Sequence, residues 1–491
     1  MPQIPNNLTK ELQNYDINQQ YDDIISLLTD AFIEEDVNKT YNQDLYIWRG
    51  NTWYNKKEYD KAIVDYNKVL NLNSDSAAAL YNRGFAWIAK KEYNKALKDY
   101  DKVITLYPDD YAIVYLNRAA IRRINKEYDE AIKDYDEAIR IAPDYANAYY
   151  NRGLSEKEKN GNIEKSKSDF EQYINLTQGD NDKWTKYANY YIEELEERIN
   201  DKELNLIVNY IFDIRRKLLI NDESITHYSS LSAVKCLLMD KSKFRLSEGN
   251  LMNDPSEGVE LLKYLGCKFP ITNNENSESE IYFPKPFIGS FVTKDKNDDL
   301  NMWRFYGKEN GTEAKGCAIT LKMTEFINDI RNSMAQNEED ILKHKSDINF
   351  YRVAYIEKES KKFFIPNLNE EITTEINELI IKLKEQVCNY SGTNLFSVEK
   401  YLNTIAFLFK RDDYENENEV RLVVQGVEFK KNYDQNVTPP KVYIELETID
   451  KIVEQITLGP KVDKASEWAS AFHYSFEGNA PKIVLSHLPY K

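Results

Sequence analysis

The feature that most constrains this chain is an internal repeat with a period of 34 residues. Gly50 and Gly84 stand 34 residues apart, and so do Tyr66 and Tyr100. The small and aromatic positions return in two further copies, after a shift of one residue, as Ala119, Tyr128, Ala131, Tyr135, Gly153, Ile163, Ser166 and Phe170. Periods of 20–50 residues are typical of stacked repeats, which bury their apolar faces only against their neighbours. The first part of the chain is therefore predicted to be an α-solenoid.

The residue types of the repeat have physical roles. The small residue at Gly50, Gly84, Ala119 and Gly153 lets the first helix of each repeat approach the second. The aromatic side chains of Tyr66, Tyr100, Tyr135 and Phe170 fill the space between repeats, and Pro108 and Pro143 follow the second helices and end them. Period and residue classes resemble those of tetratricopeptide repeats, which predicts a concave surface that binds another polypeptide.

The division of the chain follows from where the periodicity begins and stops. Residues 1–40 are expected to form an N-terminal segment with a degenerate opening half-repeat, and residues 41–180 the repeats. Residues 181–220 are expected to supply a closing helix and a connecting helix, because the last repeat of a solenoid needs a cap. In residues 221–491 short apolar runs alternate with helical ones, which predicts an α+β domain.

Composition excludes several classes of protein. The net charge of −17 makes nucleic acid an unlikely partner, because phosphates are bound by excess Lys and Arg. Four cysteines without paired spacing and only four histidines predict neither a metal site nor a disulfide framework. No apolar run approaches eighteen residues and no signal peptide is recognisable, so the expectation is a cytoplasmic protein that does not enter a membrane.

One segment of the C-terminal region concentrates charge. In an extended strand Glu417, Glu419 and Arg421 would share one face, which would make a small charged platform. The residues by themselves favour the simpler interpretation, a solvated sheet face balanced by one arginine. In the same way, His227 fits a satisfied core or edge position, and Leu300, Trp303 and Tyr306 fit one apolar face of a helix packed in the core.

The order of motifs in the C-terminal region resembles the bacterial domain of unknown function 2971. The motifs are ITHYSS, RLSEGNLMNDPSE, MWRFYG, GCAITL and a late K-x₃-Y-x₂-E-N-E-V-R, and they span nearly all of residues 224–460. Lys410, Glu417, Glu419 and Arg421 match the last motif, while Tyr414 stands where tryptophan is usual.

This order is also faintly similar to the layout of ADP-ribosyltransferases, which cleave the bond between nicotinamide and ribose in NAD. That similarity implies Glu419 as the catalytic carboxylate, Glu417 as the residue that steers the acceptor, and His227 on a ribose hydroxyl. It implies that Tyr228, Trp303 or Tyr306 supplies the ring that stacks on nicotinamide. It also implies that Arg421 or Lys410 contacts the pyrophosphate.

The resulting hypothesis joins the two halves. The repeats would recruit a partner polypeptide, and the C-terminal domain would act on it by transferring ADP-ribose from NAD, as in toxin-like or phage-defence proteins. The alternative is a non-catalytic interaction scaffold or ligand-binding protein. A third interpretation, a nuclease, would need metal-binding carboxylates, for which Asp254, Glu257 and the Glu417/Glu419 pair are the candidates.

Overall fold

The chain divides into two compact units, residues 1–196 and 197–491. The computed structural model describes residues 6–35, 41–179, 182–220, 222, 224–248, 258–266, 286–309, 311–333, 347–425, 430–434, 441–476 and 480–488. The boundary between the units falls within residues 181–220, the segment expected to hold the closing and connecting helices. The finer division into four segments stays a prediction.

The first unit is built of antiparallel helix pairs. Its described helices are α1 Asn6–Ile17, α2 Tyr21–Leu27, α3 Asp30–Glu34, α4 Asn42–Asn55, α5 Tyr59–Leu72, α6 Ala77–Ala89, α7 Tyr93–Leu106, α8 Ala112–Ile124, α9 Tyr128–Ile141, α10 Ala146–Lys159, α11 Ile163–Leu176 and α12 Lys183–Asn200. Helices α4 to α11 form four successive pairs, one for each copy of the repeat. The predicted solenoid of stacked helices is confirmed.

The repeat positions have the packing roles that their residue types predict. Gly50 lies against the ring of Tyr66, and Gly84 lies against the ring of Tyr100. The aromatic residues Tyr66, Tyr100, Tyr135 and Phe170 are all buried. Close approach of the paired helices therefore depends on a small residue in the first helix and a large ring in the second.

A ladder of arginine–aspartate pairs runs through the repeats. Arg83 in α6 donates from Nε to Asp99 Oδ2 at 2.8 Å and from Nη2 to Asp99 Oδ1 at 2.5 Å. Its Nη1 donates to Asn67 of the preceding repeat at 2.6 Å. Equivalent two-bond pairs join Arg49 to Asp65, Arg118 to Asp134 and Arg152 to Asp169. Such paired hydrogen bonds fix orientation as well as distance, so they hold the two helices of each repeat in register, while the bond from Arg83 to Asn67 joins neighbouring repeats.

The second unit contains helices on both sides of a large mixed sheet. Its described helices are α13 Lys202–Leu218, α14 Leu231–Leu238, α15 Glu260–Leu265, α16 Leu300–Phe305, α17 Met323–Ser333, α18 Glu370–Asn389, α19 Leu395–Ala406 and α20 Ala465–Ser475. Helix α15 begins at Glu260, and residues 249–257 before it lie outside the described part. Gly266 ends it in the left-handed conformation, with φ of 68°.

The strands of the second unit are mostly those that the apolar runs predict. They are β1 Ser224–Ser229, β2 Arg245–Glu248, β3 Phe287–Thr293, β4 Lys308–Glu309, β5 Thr312–Glu313, β6 Cys317–Lys322, β7 Asp347–Arg352, β8 Ala354–Ile356, β9 Phe363–Phe364, β10 Phe409–Arg411, β11 Val420–Gln425, β12 Lys431–Asp434, β13 Lys441–Glu445, β14 Val453–Leu458 and β15 Lys482–Leu485. Strands and helices in this mixture confirm the α+β prediction.

Strand β3 pairs with three other strands of the ten-stranded sheet, β1, β2 and β11. The order of strands is β12-β13-β2-β3-β1-β6-β14-β15, and β11 pairs with β3 and with β7 outside this path. One apolar core covers the sheet and includes Ile225, Phe291 and Leu422. A second core packs α13, α18 and α19 together through residues such as Ile211, Ile380 and Leu402. The short sheet β10-β8-β9 lies beside this second core and carries Lys410.

The helices of the described ranges are too short or too polar to cross a bilayer. None of these helices joins sufficient length with sufficient apolar character. Apolar side chains are instead used in the internal cores of the two units.

Candidate functional site

The late motif of the C-terminal unit folds back on itself around Lys410. Lys410 lies on β10, a 3₁₀ turn follows at Asp412–Glu417, and β11 begins at Val420. Asn418 between them adopts the left-handed conformation, with φ of 46°. Asparagine tolerates this conformation better than most residues, and the reversal brings Glu417 and Glu419 to the same ammonium group.

Glu419 accepts hydrogen bonds from three side chains. Its Oε1 accepts from Arg421 Nε at 2.9 Å and its Oε2 accepts from Arg421 Nη2 at 3.0 Å. Ser290 Oγ donates to Glu419 Oε1 at 2.5 Å, and Lys410 Nζ lies 2.7 Å from Glu419 Oε2. The backbone N–H of Glu419 donates to the hydroxyl of Tyr355 at 3.0 Å. The carboxylate is thus fully occupied by cationic and hydroxyl partners.

Lys410 links the two carboxylates. Its Nζ donates to Glu417 Oε2 at 2.9 Å, and the ring of Tyr414 lies 5.2 Å from the same nitrogen. Arg421 extends the cluster toward α19 because its Nη1 donates to the carbonyl of Phe407. Lys410, Glu417, Glu419 and Arg421 therefore form one connected chain of ion pairs.

The charged cluster is buried, so the interpretation of these residues as a solvated sheet face was wrong. Relative exposures are 6% for Lys410, 6% for Glu417, 5% for Glu419 and 0% for Arg421. Glu417 lies in the 3₁₀ turn and Glu419 also precedes β11, so the strand face predicted for these two residues with Arg421 was wrong. The desolvation cost of four buried charges of balanced sign is offset only while each charge stays paired with an opposite one.

The pKa values of the two carboxylates are shifted in opposite directions. Burial acts to raise the pKa of Glu419, but the charges of Arg421 and Lys410 outweigh it and hold the pKa below its ordinary value. Burial raises the pKa of Glu417 despite the neighbouring ammonium of Lys410. Tyr306 is a hydrogen-bond partner of Glu417, and burial raises the pKa of that phenol. Glu417 is thus the carboxylate of the pair that more readily takes up a proton.

His227 reaches the cluster through the backbone of Ser290. His227 Nδ1 lies 3.0 Å from the carbonyl oxygen of Ser290, and the imidazole packs against the rings of Phe244 and Phe291. Burial lowers the pKa of His227, which favours the neutral imidazole. The expected satisfied core position describes this histidine well.

Sequence reasoning missed Ser290 and Tyr355. Ser290 interrupts the apolar run of β3 and faces Arg421 of β11 across the sheet. Tyr355 belongs to β8, which pairs with the strand that carries Lys410. A polar residue inside an otherwise apolar strand was the available signal for Ser290. For Tyr355 no such local signal exists.

The proposed stacking rings are not equivalent. Trp303 is fully buried, and its Nε1 donates to Asp298 at 2.7 Å. Tyr228 packs edge-on against Trp303, and its hydroxyl donates to the carbonyl of Lys296 at 2.7 Å. Both rings are buried in the core, which for Trp303 agrees with the predicted apolar face of α16, whereas Tyr228 lies on β1. Tyr306 is half-buried and lies beside Glu417, so it is the ring of the three that adjoins the charged cluster.

The nuclease interpretation gains no support from the described residues. Asp254 and Glu257 lie outside them. Within the described ranges, no group of three or more His, Cys, Asp or Glu side chains is arranged to hold a metal ion.

A separate cleft of about 330 Å³ lies in the first unit. It is formed mainly by the first helices of the first two repeats, α4 and α6. Its lining residues are Asp16, Trp48, Asn51, Thr52, Tyr54, Asn55, Tyr66, Asn82 and Phe85. Aromatic rings and side-chain amides therefore dominate this surface.

Three family descriptions match parts of the chain. "TPR repeat" matches residues 50–87 and 119–158, and "Tetratricopeptide repeat" matches residues 77–110 and 146–180. "Protein of unknown function (DUF2971)" matches residues 302–422, a narrower range than the motifs compared over 224–460. No curated protein matches the chain by sequence.

Several solved structures are similar to part of the chain. MamA from Desulfovibrio magneticus RS-1 is 17% identical over 35% of this chain and 95% of its own, with a TM-score of 0.31. The Arabidopsis OM64 TPR domain is 25% identical over 25% and 95%, with a TM-score of 0.23. The first TPR of Spaghetti (RPAP3), solved with an HSP90 peptide, is 23% identical over 23% and 90%, also with a TM-score of 0.23.

The matches agree with the motifs in each half of the chain. The late motif from Lys410 to Arg421 lies inside the DUF2971 match, and the four helix pairs overlap the repeat matches. The similarity to ADP-ribosyltransferases stays a prediction. The chain therefore carries tetratricopeptide repeats, a protein–protein interaction architecture, in its N-terminal unit and a DUF2971 segment in its C-terminal unit.

Proposed function

We propose that the repeat unit binds a polypeptide segment in the cleft between α4 and α6, and that the C-terminal unit is the effector that acts on it. The observation that carries the proposal is the cleft itself, about 330 Å³ in volume and lined by aromatic and amide groups. Aromatic walls take up apolar side-chain surface, and amides form hydrogen bonds with an extended backbone.

The orientation of Asn51 supports this proposal. Tyr66 Oη donates to Asn51 Oδ1 at 2.8 Å, so the acceptor of the amide is already used. The Nδ2 group keeps two N–H donors, and Asn51 is exposed where it lines the cleft. A carbonyl group of a bound peptide is a suitable partner for these donors.

Site-specific photo-cross-linking tests this function. A photoreactive amino acid replaces Asn55, which is exposed in the cleft, or Val64, which is exposed on α5 and is not among the residues lining the cleft. Polypeptides of cell lysate should cross-link at position 55, and the Asn51→Ala/Phe85→Ala variant should abolish this product. Equal cross-linking at positions 55 and 64, or none at 55, would contradict the proposal.

A second candidate function is transfer of ADP-ribose from NAD at the charged cluster. The observation that favours it is the convergence of His227, Glu417 and Glu419 within one buried network joined through Ser290 and Lys410. Perturbed ionisable groups of this kind are concentrated at functional sites.

The described residues do not fit NAD as they stand. The cleft that Glu419 lines has a volume of only about 10 Å³, whereas ligand pockets measure roughly 300–1,000 Å³. Arg421 and Lys410 also neutralise Glu419, which weakens its attraction for a cationic transition state. Glu417, beside Tyr306, is the better candidate for a group that exchanges a proton.

Incubation of the purified protein with labelled NAD and bacterial lysate separates the enzyme from the scaffold. Wild type is compared with Glu417→Gln and Glu419→Gln, and folding of each variant is checked by circular dichroism. Transfer of label that Glu417→Gln abolishes would support a group-transfer enzyme. If wild type neither transfers label nor releases nicotinamide, the non-catalytic scaffold is the better description of the C-terminal unit.

A further inference from the structure

We infer that the cleft between α4 and α6 selects a basic residue, so that the bound segment places a lysine or arginine side chain between Asp16 and Trp48. This inference rests on the proposed binding of a polypeptide and names the chemistry of that partner. The occupant is an extended peptide segment with one cationic side chain directed into the cleft.

Charge at the cleft supports a cationic occupant. Asp16 is the one charged residue among the nine that line the cleft, and it is exposed. No ion pair joins Asp16 to another residue within the described ranges. Its carboxylate is therefore available to a charged ligand without first breaking a bond inside the protein.

The end of α1 adds to the negative potential. Asp16 stands in the last turn of this helix, which ends at Ile17. Carbonyl groups at a helix C-terminus carry a partial negative charge and attract cations. The side chain and the helix terminus therefore act on the same end of the cleft with the same sign.

The aromatic wall provides a second independent feature. Trp48, Tyr54 and Phe85 line the cleft beside Asp16. Elsewhere in the unit a lysine ammonium already covers a tryptophan ring, at 4.4 Å for Lys61 on Trp53 and 4.3 Å for Lys95 on Trp87. Trp48 is half-buried and has no such cation among the described residues, so its ring can accept one from a ligand.

An acidic segment fits this cleft poorly. The described lining residues include no lysine, arginine or histidine, so a carboxylate of the ligand would find only amides and hydroxyl groups. It would also face Asp16, and like charges at short distance repel each other. The lining therefore discriminates by charge as well as by shape.

Selection of random heptapeptides displayed on phage, with the full-length protein as bait, tests this inference. Selected peptides are synthesised with a fluorescent label, and their affinities are measured by anisotropy at low and high salt. Each peptide is paired with a copy in which norleucine replaces its lysine or arginine. Asp16→Asn and Trp48→Leu are the site variants, and Asp22→Asn is an exposed control outside the cleft.

The expected result is enrichment of lysine or arginine at one position of the selected peptides. Norleucine at that position, Asp16→Asn and Trp48→Leu should each weaken binding about two- to fivefold, the size of an exposed ion pair or cation–π contact. High salt should weaken binding to wild type more than to Asp16→Asn. Asp22→Asn should leave the affinity unchanged.

Other outcomes distinguish the preference for a basic residue from polypeptide binding itself. Selected peptides without a basic position, whose binding still depends on Asn51 and Phe85, would overturn the basic preference and leave polypeptide binding intact. Selected basic peptides that bind Asp16→Asn and Trp48→Leu as well as wild type would also overturn the inference. Failure to select any peptide above the background would count against the binding function itself.

Discussion

Gly84 in α6 faces the ring of Tyr100 in α7 so closely that a methyl group would not fit. A Cβ atom added to Gly84 would lie 2.5 Å from Tyr100 Cε1. The same relationship joins Gly50 to Tyr66, at 2.6 Å. The repeat thus uses glycine inside a helix for space and accepts its lower helix propensity.

Substitution of Gly84 by alanine should therefore destabilise the protein. Alanine is ordinarily about 1 kcal/mol better than glycine within a helix, but here the collision with a buried ring should reverse the sign. Thermal unfolding of Gly84→Ala should show a lower Tm than wild type. Gly84→Ala in a Tyr100→Leu background is the control, and there the alanine should cost less. A raised Tm for the single variant would contradict the packing described above.

Substitution of a buried carboxylate in the arginine ladder should destabilise the protein more than substitution of an exposed one. Asp134 is buried and accepts hydrogen bonds from Arg118 and Arg122, whereas Asp101 is exposed and pairs with Arg118 at 2.7 Å. Asp134→Asn should lower the free energy of unfolding by about 2–3 kcal/mol, because it leaves the partly buried guanidinium groups of Arg118 and Arg122 poorly paired. Asp101→Asn should cost less than about 1 kcal/mol. Urea titrations followed by circular dichroism measure both; equal losses would count against the ladder.

Replacement of a lysine in the turn between α4 and α5 by glycine should stabilise the protein. Lys57 has φ of 63°, a conformation that disfavours side chains with a Cβ atom. Lys57→Gly should raise the free energy of unfolding by about 1 kcal/mol, since glycine adopts this conformation without strain. Lys57→Ala keeps the Cβ atom and should give no comparable gain in Tm. A gain of equal size in both variants would show that strain at this position is not the cause.

The buried cluster should make the stability of the C-terminal unit depend on pH. The pKa of Glu419 is lower in the folded state than in the unfolded chain, so its contribution is present above the unfolded pKa, about 4.3, and is lost as pH falls toward the folded pKa. At pH 7 Glu419→Gln should cost about 3–5 kcal/mol, because Arg421 remains buried without its carboxylate.

Hydrogen exchange of the amides of β11 measures this effect within the C-terminal unit. The difference between wild type and Glu419→Gln should shrink as the pH is lowered below about 4. Glu417→Gln is the matched control. Burial raises the pKa of Glu417 in the folded state, so folding gains nothing from its negative charge and its loss should cost less. A larger effect of Glu417→Gln at pH 7 would reverse this assignment.

Much of the first unit could be predicted because its packing joins residues that are close in sequence and recur in each repeat. The period of 34 residues sets which positions of each helix are small, aromatic or charged, and neighbouring repeats then bury those positions. The ladder also follows the period, since Arg83 directly precedes Gly84 and Asp99 directly precedes Tyr100. Its hydrogen bonds still needed the structure, because sequence spacing alone does not show which charges meet.

In the second unit the sequence by itself determined most strands, most helices and the motif from Lys410 to Arg421. Only the tertiary structure decided that this motif is buried and that Asn418 turns Glu417 away from the strand. The physical reason is distance along the chain. Ser290 reaches Glu419 across 129 residues, and strand pairing, not local pattern, places those two side chains together.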